Sequence, residues 1–132
     1  MEDEKNFLKN RAKEFWERAK EDLQKFRYNL AALDVEQAVQ LWLKHLIFLK
    51  ADDFPKVHYL DRLINELSIV YDCPKISNFY KEHALEFRSL EDAYITSRYF
   101  SKEFNKEEIE RLIEFTAAFF KFLKEQINEE LV

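Results

Sequence analysis

At 132 residues, 47% of them hydrophobic and 36% charged, the chain is sized for one domain with its own core. It has no glycine and only two prolines, which argues against β meanders, dinucleotide fingerprints and phosphate-cradling loops, all of which lean on positive φ. A net charge of −5 disfavours broad nonspecific nucleic-acid binding, while leaving room for one local basic pocket.

A first helix is predicted over about Glu4 to Leu30. Leu8, Ala12, Phe15, Ala19, Leu23, Phe26 and Leu30 recur at threes and fours along one face. Glu14 with Arg18 and Glu21 with Lys25 are i,i+4 pairs in the favourable order, as on a solvated face. A turn is expected at "AALD". Asp34 and Gln37, three residues apart, read as a capping box, and Glu36 as a first-turn acid suited to the helix dipole. On this reading Asp34, Glu36 and Gln40 are helix-start and surface chemistry. Gln40 points away from the stripe Val35, Ala38, Val39, Trp42, Leu43, Leu46 and Leu49, whereas Gln37 lies near its edge.

The second helix is expected to end near Lys50, followed by the connection "ADDFPK". A short third helix is expected over about Val57 to Val70, and "YDCPK" is the next break. A fourth helix is expected over about Ile76 to Arg98, bending near Ser89. "NKEE", Asn105 to Glu108, is a second capping box that opens a last helix running to about Glu129. The expected fold is all-α: an antiparallel up-and-down bundle of four long helices plus one short helix, one domain over residues 1–132. "RYNLAALDVEQAVQLW" has the look of a tetratricopeptide turn, but no second copy follows.

Most of the 13 Phe, 6 Tyr and 2 Trp fall on apolar helix faces and read as core. Phe115, Phe119 and Phe122 leave the stripe of Phe120 and Leu123, and Phe48 does the same on the second helix. Two apolar faces on one helix predict a homodimer. The high charge and aromatic content hint at a thermophilic source.

Signatures of chemistry are sparse. His45, His58 and His83 belong to no HExxH or Glu-x-x-His pair, so neither metal nor cofactor is expected. Cys73 is the single cysteine, which rules out an intrachain disulfide and suits a reducing interior. It precedes Pro74 with no histidine near it in sequence. Metal-free RNA cleavage needs a general base and a cation, which Arg and His on one helix can supply. No Arg is followed by a His across four to six residues; His83 and Arg88 have that spacing in reverse order. "MEDEKNFLKN" lacks an apolar signal core, and no run of 18 uncharged apolar residues occurs. A cytoplasmic chain without a membrane span is the expectation.

Several stretches, in order, resemble the HEPN family, the "higher eukaryotes and prokaryotes nucleotide-binding" domains. "RAKEFWERAKEDLQKFRYNLAALDVEQAVQLWLKHLIFLK" is similar to the family's first helix pair through Tyr28, Gln37, Ala38, Leu43 and Lys44. "FPKVHYLDRLI" resembles its short third helix, with His58 and Leu60. "LEDAYITSRYF" resembles its Tyr-x-x-x-Arg-Tyr segment, with Tyr94, Arg98 and Tyr99. The resemblance implies a helical bundle, commonly dimeric. Many members are metal-independent ribonucleases that use Arg followed after four to six residues by His, a pattern missing here. Others pair with a small, separately encoded nucleotidyltransferase of the MNT type and bind nucleotides or that partner.

Carried onto this chain, the resemblance makes Tyr28, Gln37, Lys44, His58, Tyr94, Arg98 and Tyr99 candidate ligand-binding residues. Lys44 and Arg98 would take phosphate, Gln37 and His58 a base or ribose, and Tyr94 or Tyr99 would stack. The plainer alternative pairs Lys44 and Arg98 with carboxylates such as Glu36 or Asp92. The expected function is a non-catalytic nucleotide- or partner-binding module in a toxin-antitoxin-like pair. A ribonuclease with a displaced site at His83, Arg88 and Arg98 is one alternative, and an interaction protein without ligand is another.

Overall fold

The computed structural model describes the backbone of residues 2–131 and the side chains of residues 6–131. Six helices follow one another: α1 (Glu2–Gln24), α2 (Tyr28–Ala51), α3 (Leu60–Val70), α4 (Pro74–Glu82), α5 (Ala84–Tyr99) and α6 (Lys106–Ile127). No strand occurs among the described residues. The all-α expectation therefore holds, but the count of four long helices plus one short does not.

Two boundaries moved for physical reasons. The turn after α1 lies at Lys25–Arg27, with Phe26 in the left-handed region at φ 63°. "AALD" is helix, and Asp34 and Gln37 form no capping box, because Ala31 and Ala32 are fully buried and belong to the α2 core face. The expected fourth helix is two, divided at His83 (φ −121°, ψ 30°) rather than bent at Ser89. The His83 ring stacks on Phe79 at 4.2 Å, and its Nδ1 lies 3.0 Å from the Phe79 carbonyl. Neither proline nor glycine marks this break. The second capping box does form: Asn105 Oδ1 accepts from the Glu108 amide at 2.9 Å, and Glu108 accepts from the Asn105 amide at 3.0 Å.

The break at His83 lets α4 fold against α6. Phe79 stacks on Phe122 at 4.3 Å and Phe119 at 5.5 Å, and Phe87 meets Phe115 edge-on at 5.0 Å. The second apolar face of the last helix thus packs against the chain's own α4 and α5. Phe48 likewise meets Phe54 of the same chain, at 6.3 Å. The residues that suggested a homodimer are accounted for within one chain.

α2 is the axis: α1, α3, α5 and α6 all pack on it. α5 runs antiparallel to it. The Asn29 side chain near the start of α2 accepts from the Phe104 amide beyond the end of α5, at 2.9 Å. Glu91, midway along α5, accepts from the Leu60 amide at the start of α3, at 2.6 Å.

Asp22 and Asp34 face each other across the α1–α2 contact, 5% and 1% exposed. Three of their four carboxyl oxygens have no ordinary hydrogen-bond partner. Arg18 stands 3.9 Å from Asp34, and Arg27 stands 3.6 Å from Asp22; both arginines are more than half exposed. Burial, then the hydrogen bond with Asp22, pushes the Asp34 carboxyl up to about 7. A proton shared between the two carboxyls satisfies both. The unfolded chain gives up that proton near pH ~4 and the folded chain only near neutrality, so stability falls as pH rises across that interval. Asp34→Asn supplies a permanent donor. Wild-type denaturant midpoints should decline from pH 5 to 8 by the equivalent of roughly 1–3 kcal/mol, and Asp34→Asn should remove about half of that decline, the rest belonging to Glu36, whose carboxyl burial also raises to about 7. Parallel declines in the two proteins would contradict the shared proton.

Candidate functional site

The middle of α2 carries an unusual load for a buried helix. Glu36, Gln40 and Lys44 succeed one another at intervals of four on one face, 2%, 4% and 7% exposed. Gln40 was expected to point away from the core stripe. Instead its Nε2 donates to Glu36 Oε1 at 2.7 Å, and its Oε1 accepts from Lys44 Nζ at 3.2 Å. That same Oε1 lies 2.9 Å from His58 Nδ1 in the connection before α3. Gln37 donates to the other Glu36 oxygen at 2.9 Å. The assignment is self-consistent: Gln40 donates to the acid and accepts from Lys44 and from His58 in its Nδ1–H form. The exposed His58 ring then keeps Nε2 for another donor.

Burial dominates the electrostatics here. It pushes Glu36 up to about 7, against the lowering effect of its two glutamine donors. It pushes Lys44 down, partly offset by Glu36. Glu91 on α5 is raised too, by burial first, while its bond to the Leu60 amide lowers it. Lys44 forms no ion pair within 4.0 Å among the described residues. The expected direct pairing of Lys44 with Glu36 is replaced by a relay through Gln40.

The other candidates lie along α5. A spacing of 100° per residue sets Glu91, Tyr94 and Arg98 on one flank, the flank from which Glu91 reaches α3. Arg98 donates to the Tyr94 hydroxyl and lies over the Tyr94 and Tyr99 rings at 5.4 and 5.3 Å. Tyr99 and Phe100 are about two-thirds exposed, beside the exposed Ile95. Arg98 meets no carboxylate within 4.0 Å among the described residues, and its expected pairing with Asp92 does not form. Tyr28 opens α2, its ring edge-on to Phe26 at 6.4 Å.

The structure therefore joins Gln37, Lys44 and His58 in one network and groups Tyr94, Arg98 and Tyr99 in another. Two turns of α5, about 10 Å, separate Glu91 from Arg98. Of the alternative trio, Arg88 is exposed on α5 five residues after His83, but Arg98 does not join them within one chain. His83 and Arg98 stand at opposite ends of α5, roughly 22 Å apart along its axis. Among the described residues no group of three or more His, Cys, Asp or Glu side chains has metal-holding geometry.

A family model described as HEPN domain matches residues 6–126. The chain belongs to the HEPN family. The resemblance carried by "RYNLAALDVEQAVQLW" and "LEDAYITSRYF" thus holds over nearly the whole sequence, and it points to nucleotide-related or ribonuclease-like chemistry. No curated protein and no solved structure shows a comparable match. No helix among the described residues of this HEPN chain is long and apolar enough to cross a membrane.

Glu36 and Gln40 are the network residues that sequence reasoning set aside. Their i,i+4 spacing with Lys44 was the available signal, masked by the supposed helix start at Asp34. Gln40→Leu keeps the volume and removes every relay bond. It leaves the buried Glu36 with Gln37 as its one donor and the buried Lys44 without a partner among the described residues, so it should destabilise the chain by about 2–4 kcal/mol in urea unfolding. A change below about 0.5 kcal/mol would mean that water already serves these groups.

Proposed function

We propose that this chain is a non-catalytic HEPN module that binds a nucleotide or a protein partner. It acts beside a separate MNT-type nucleotidyltransferase in a cytoplasmic toxin-antitoxin-like pair, and as a homodimer on the ground of the family resemblance alone, since Phe48, Phe115, Phe119 and Phe122 pack within the chain. The observation that carries this reading is the surface cluster of half-buried Tyr94 with exposed Arg98 and Tyr99, a cation with no carboxylate within 4.0 Å among the described residues, lying over two aromatic rings. Such a group recognises phosphate and stacks on planar rings, and it also suits a protein interface. Ile95 and Phe100 extend it with exposed apolar surface. On the neighbouring α2–α3 side the exposed His58 ring offers its Nε2 to a ligand, while Gln37 and Lys44 hold the network behind it.

The chemistry of the two networks supports binding over cleavage. A nuclease site needs an accessible base close to an accessible cation. Lys44 is buried, and His83 is committed to the Phe79 ring and carbonyl. Arg98 lies at the far end of the same helix from His83.

Two assays test this reading. Affinity capture of the tagged chain from its native cells should recover a small nucleotidyltransferase in near-equal amount, and less of it with Arg98→Ala. Recovery of the chain alone would contradict the partner. Incubated with RNA in EDTA, the purified chain should leave the RNA intact. Cleavage that disappears in His83→Ala would overturn the non-catalytic reading.

A further inference from the structure

Trp16 of α1 meets Phe120 of α6 edge-on at 5.1 Å, and beside this contact the two helices leave a cleft of about 280 Å³. The two rings, 2% and 8% exposed, form its floor, and the small, exposed Ala117 leaves the room above it. No residue of α5 lines the cleft, so it is separate from the Tyr94–Arg98–Tyr99 cluster. Its volume falls just under the roughly 300–1,000 Å³ of small-molecule sites and suits one or two side chains of a segment lying along it.

The cleft is cationic in a chain of net charge −5. Lys20, Lys121 and Lys124 line it against one acid, Glu130. Lys124 Nζ meets Glu130 at 2.7 Å and holds its carboxyl below the usual carboxylate range, with Lys9 adding to the effect. Lys20 lies over the Trp16 ring at 4.9 Å. Lys20 and Lys121 are both exposed. Glu17 and Glu125 stand one turn from them on their own helices, yet neither lysine forms an ion pair within 4.0 Å among the described residues.

The chain itself shows what such a surface holds. After α6 the backbone turns at Asn128 through the left-handed region, at φ 57°. Glu130 then takes Lys124, and the next residue, Leu131, is 3% exposed at the edge of the cleft. A carboxylate on a lysine, followed by an apolar side chain against the Trp16–Phe120 floor, is thus already seated there. Lys20, Lys121 and Ala117 offer the same chemistry a second time.

We propose that the α1–α6 cleft docks an extended acidic segment of a partner protein. Spaced carboxylates of the segment meet Lys20 and Lys121, and an apolar side chain between them rests on Ala117. The segment lies beside Glu130 and Leu131 and leaves them in place, because Leu131 belongs to the core. A peptide fits better than a nucleic acid: Trp16 is nearly buried with Lys20 over its ring, so it leaves no face for a base to stack on.

The test is fluorescence anisotropy of the full chain with a labelled peptide of spaced glutamates around one leucine. The same peptide with serine in place of leucine should bind at least about fivefold more weakly. The Lys20→Ala, Lys121→Ala double variant should weaken the leucine peptide by at least about fivefold. Lys75→Ala with Lys81→Ala, an equal loss of charge on α4 away from the cleft, should leave it unchanged. All four lysines are exposed, so both variants keep the fold, which circular dichroism checks. Absence of binding, equal binding of the serine peptide, or equal weakening by the two double variants would overturn the proposal. A single-stranded RNA that binds more tightly than the peptide and is lost in the Lys20→Ala, Lys121→Ala variant would overturn it in favour of a nucleic acid.

Discussion

The fold turns on the burial of polar side chains along α2. Fourteen residues of this helix are buried, and five of them, Asp34, Glu36, Gln40, Lys44 and His45, carry polar or ionisable groups. Each group needs a partner or must give up its charge, because unpaired burial costs several kcal/mol. Asp34 meets its twin from α1. Glu36, Gln40 and Lys44 satisfy one another and recruit His58. His45 is held neutral: burial, then Lys9, pushes it down to about 4, and its ring stacks on Trp42 at 5.5 Å. These demands fix which helices surround α2 and in what register, since only a matching neighbour leaves no orphaned charge.

The candidate site inherits its geometry from that axis. The network on α2 reaches the α3 connection through His58, and Glu91 of α5 ties itself to the first turn of α3 through the Leu60 amide. α2, α3 and α5 are thereby locked together at one level. Above that level α5 is free to display Tyr94, Arg98 and Tyr99. A rigid, self-satisfied interior beneath an exposed aromatic and cationic surface suits recognition, where fixed geometry raises affinity, more than proton transfer.

Much of this was legible in the chain before folding. The missing glycines and the period of apolar residues ruled out strands, and Asn105 with Glu108 announced the start of α6. The missing glycines did not, however, forbid left-handed turns. Phe26, Asp52, Asp72 and Asn128 take positive φ at helix ends in their place. The break at His83 was hidden because no proline or glycine marks it: the His83 ring stacks on Phe79 four residues before it, and Phe79 in turn stacks on Phe119 and Phe122 of α6, a contact far apart in sequence. Asp34 and Gln37 mimicked a cap because capping spacing and a helical face share the same interval. The order of HEPN-like stretches survived these errors, since it depends on residue identity and not on where each helix begins. His58 and Lys44, singled out that way, both contact Gln40 in the α2 network. Glu36 and Gln40 were missed because polar residues within an apolar stripe were read as surface.

The α2 network is buried and satisfied from within. The most direct measurement is the titration of the Glu36 side-chain carboxyl by carbon-detected NMR on selectively labelled chain. The account predicts a midpoint of about 7, with the Gln40 side-chain amide resonances moving in step. A midpoint in the ordinary carboxylate range near pH ~4, with Gln40 unmoved, would mean that water reaches Glu36. The network would then be an open site, not the structural axis of the fold.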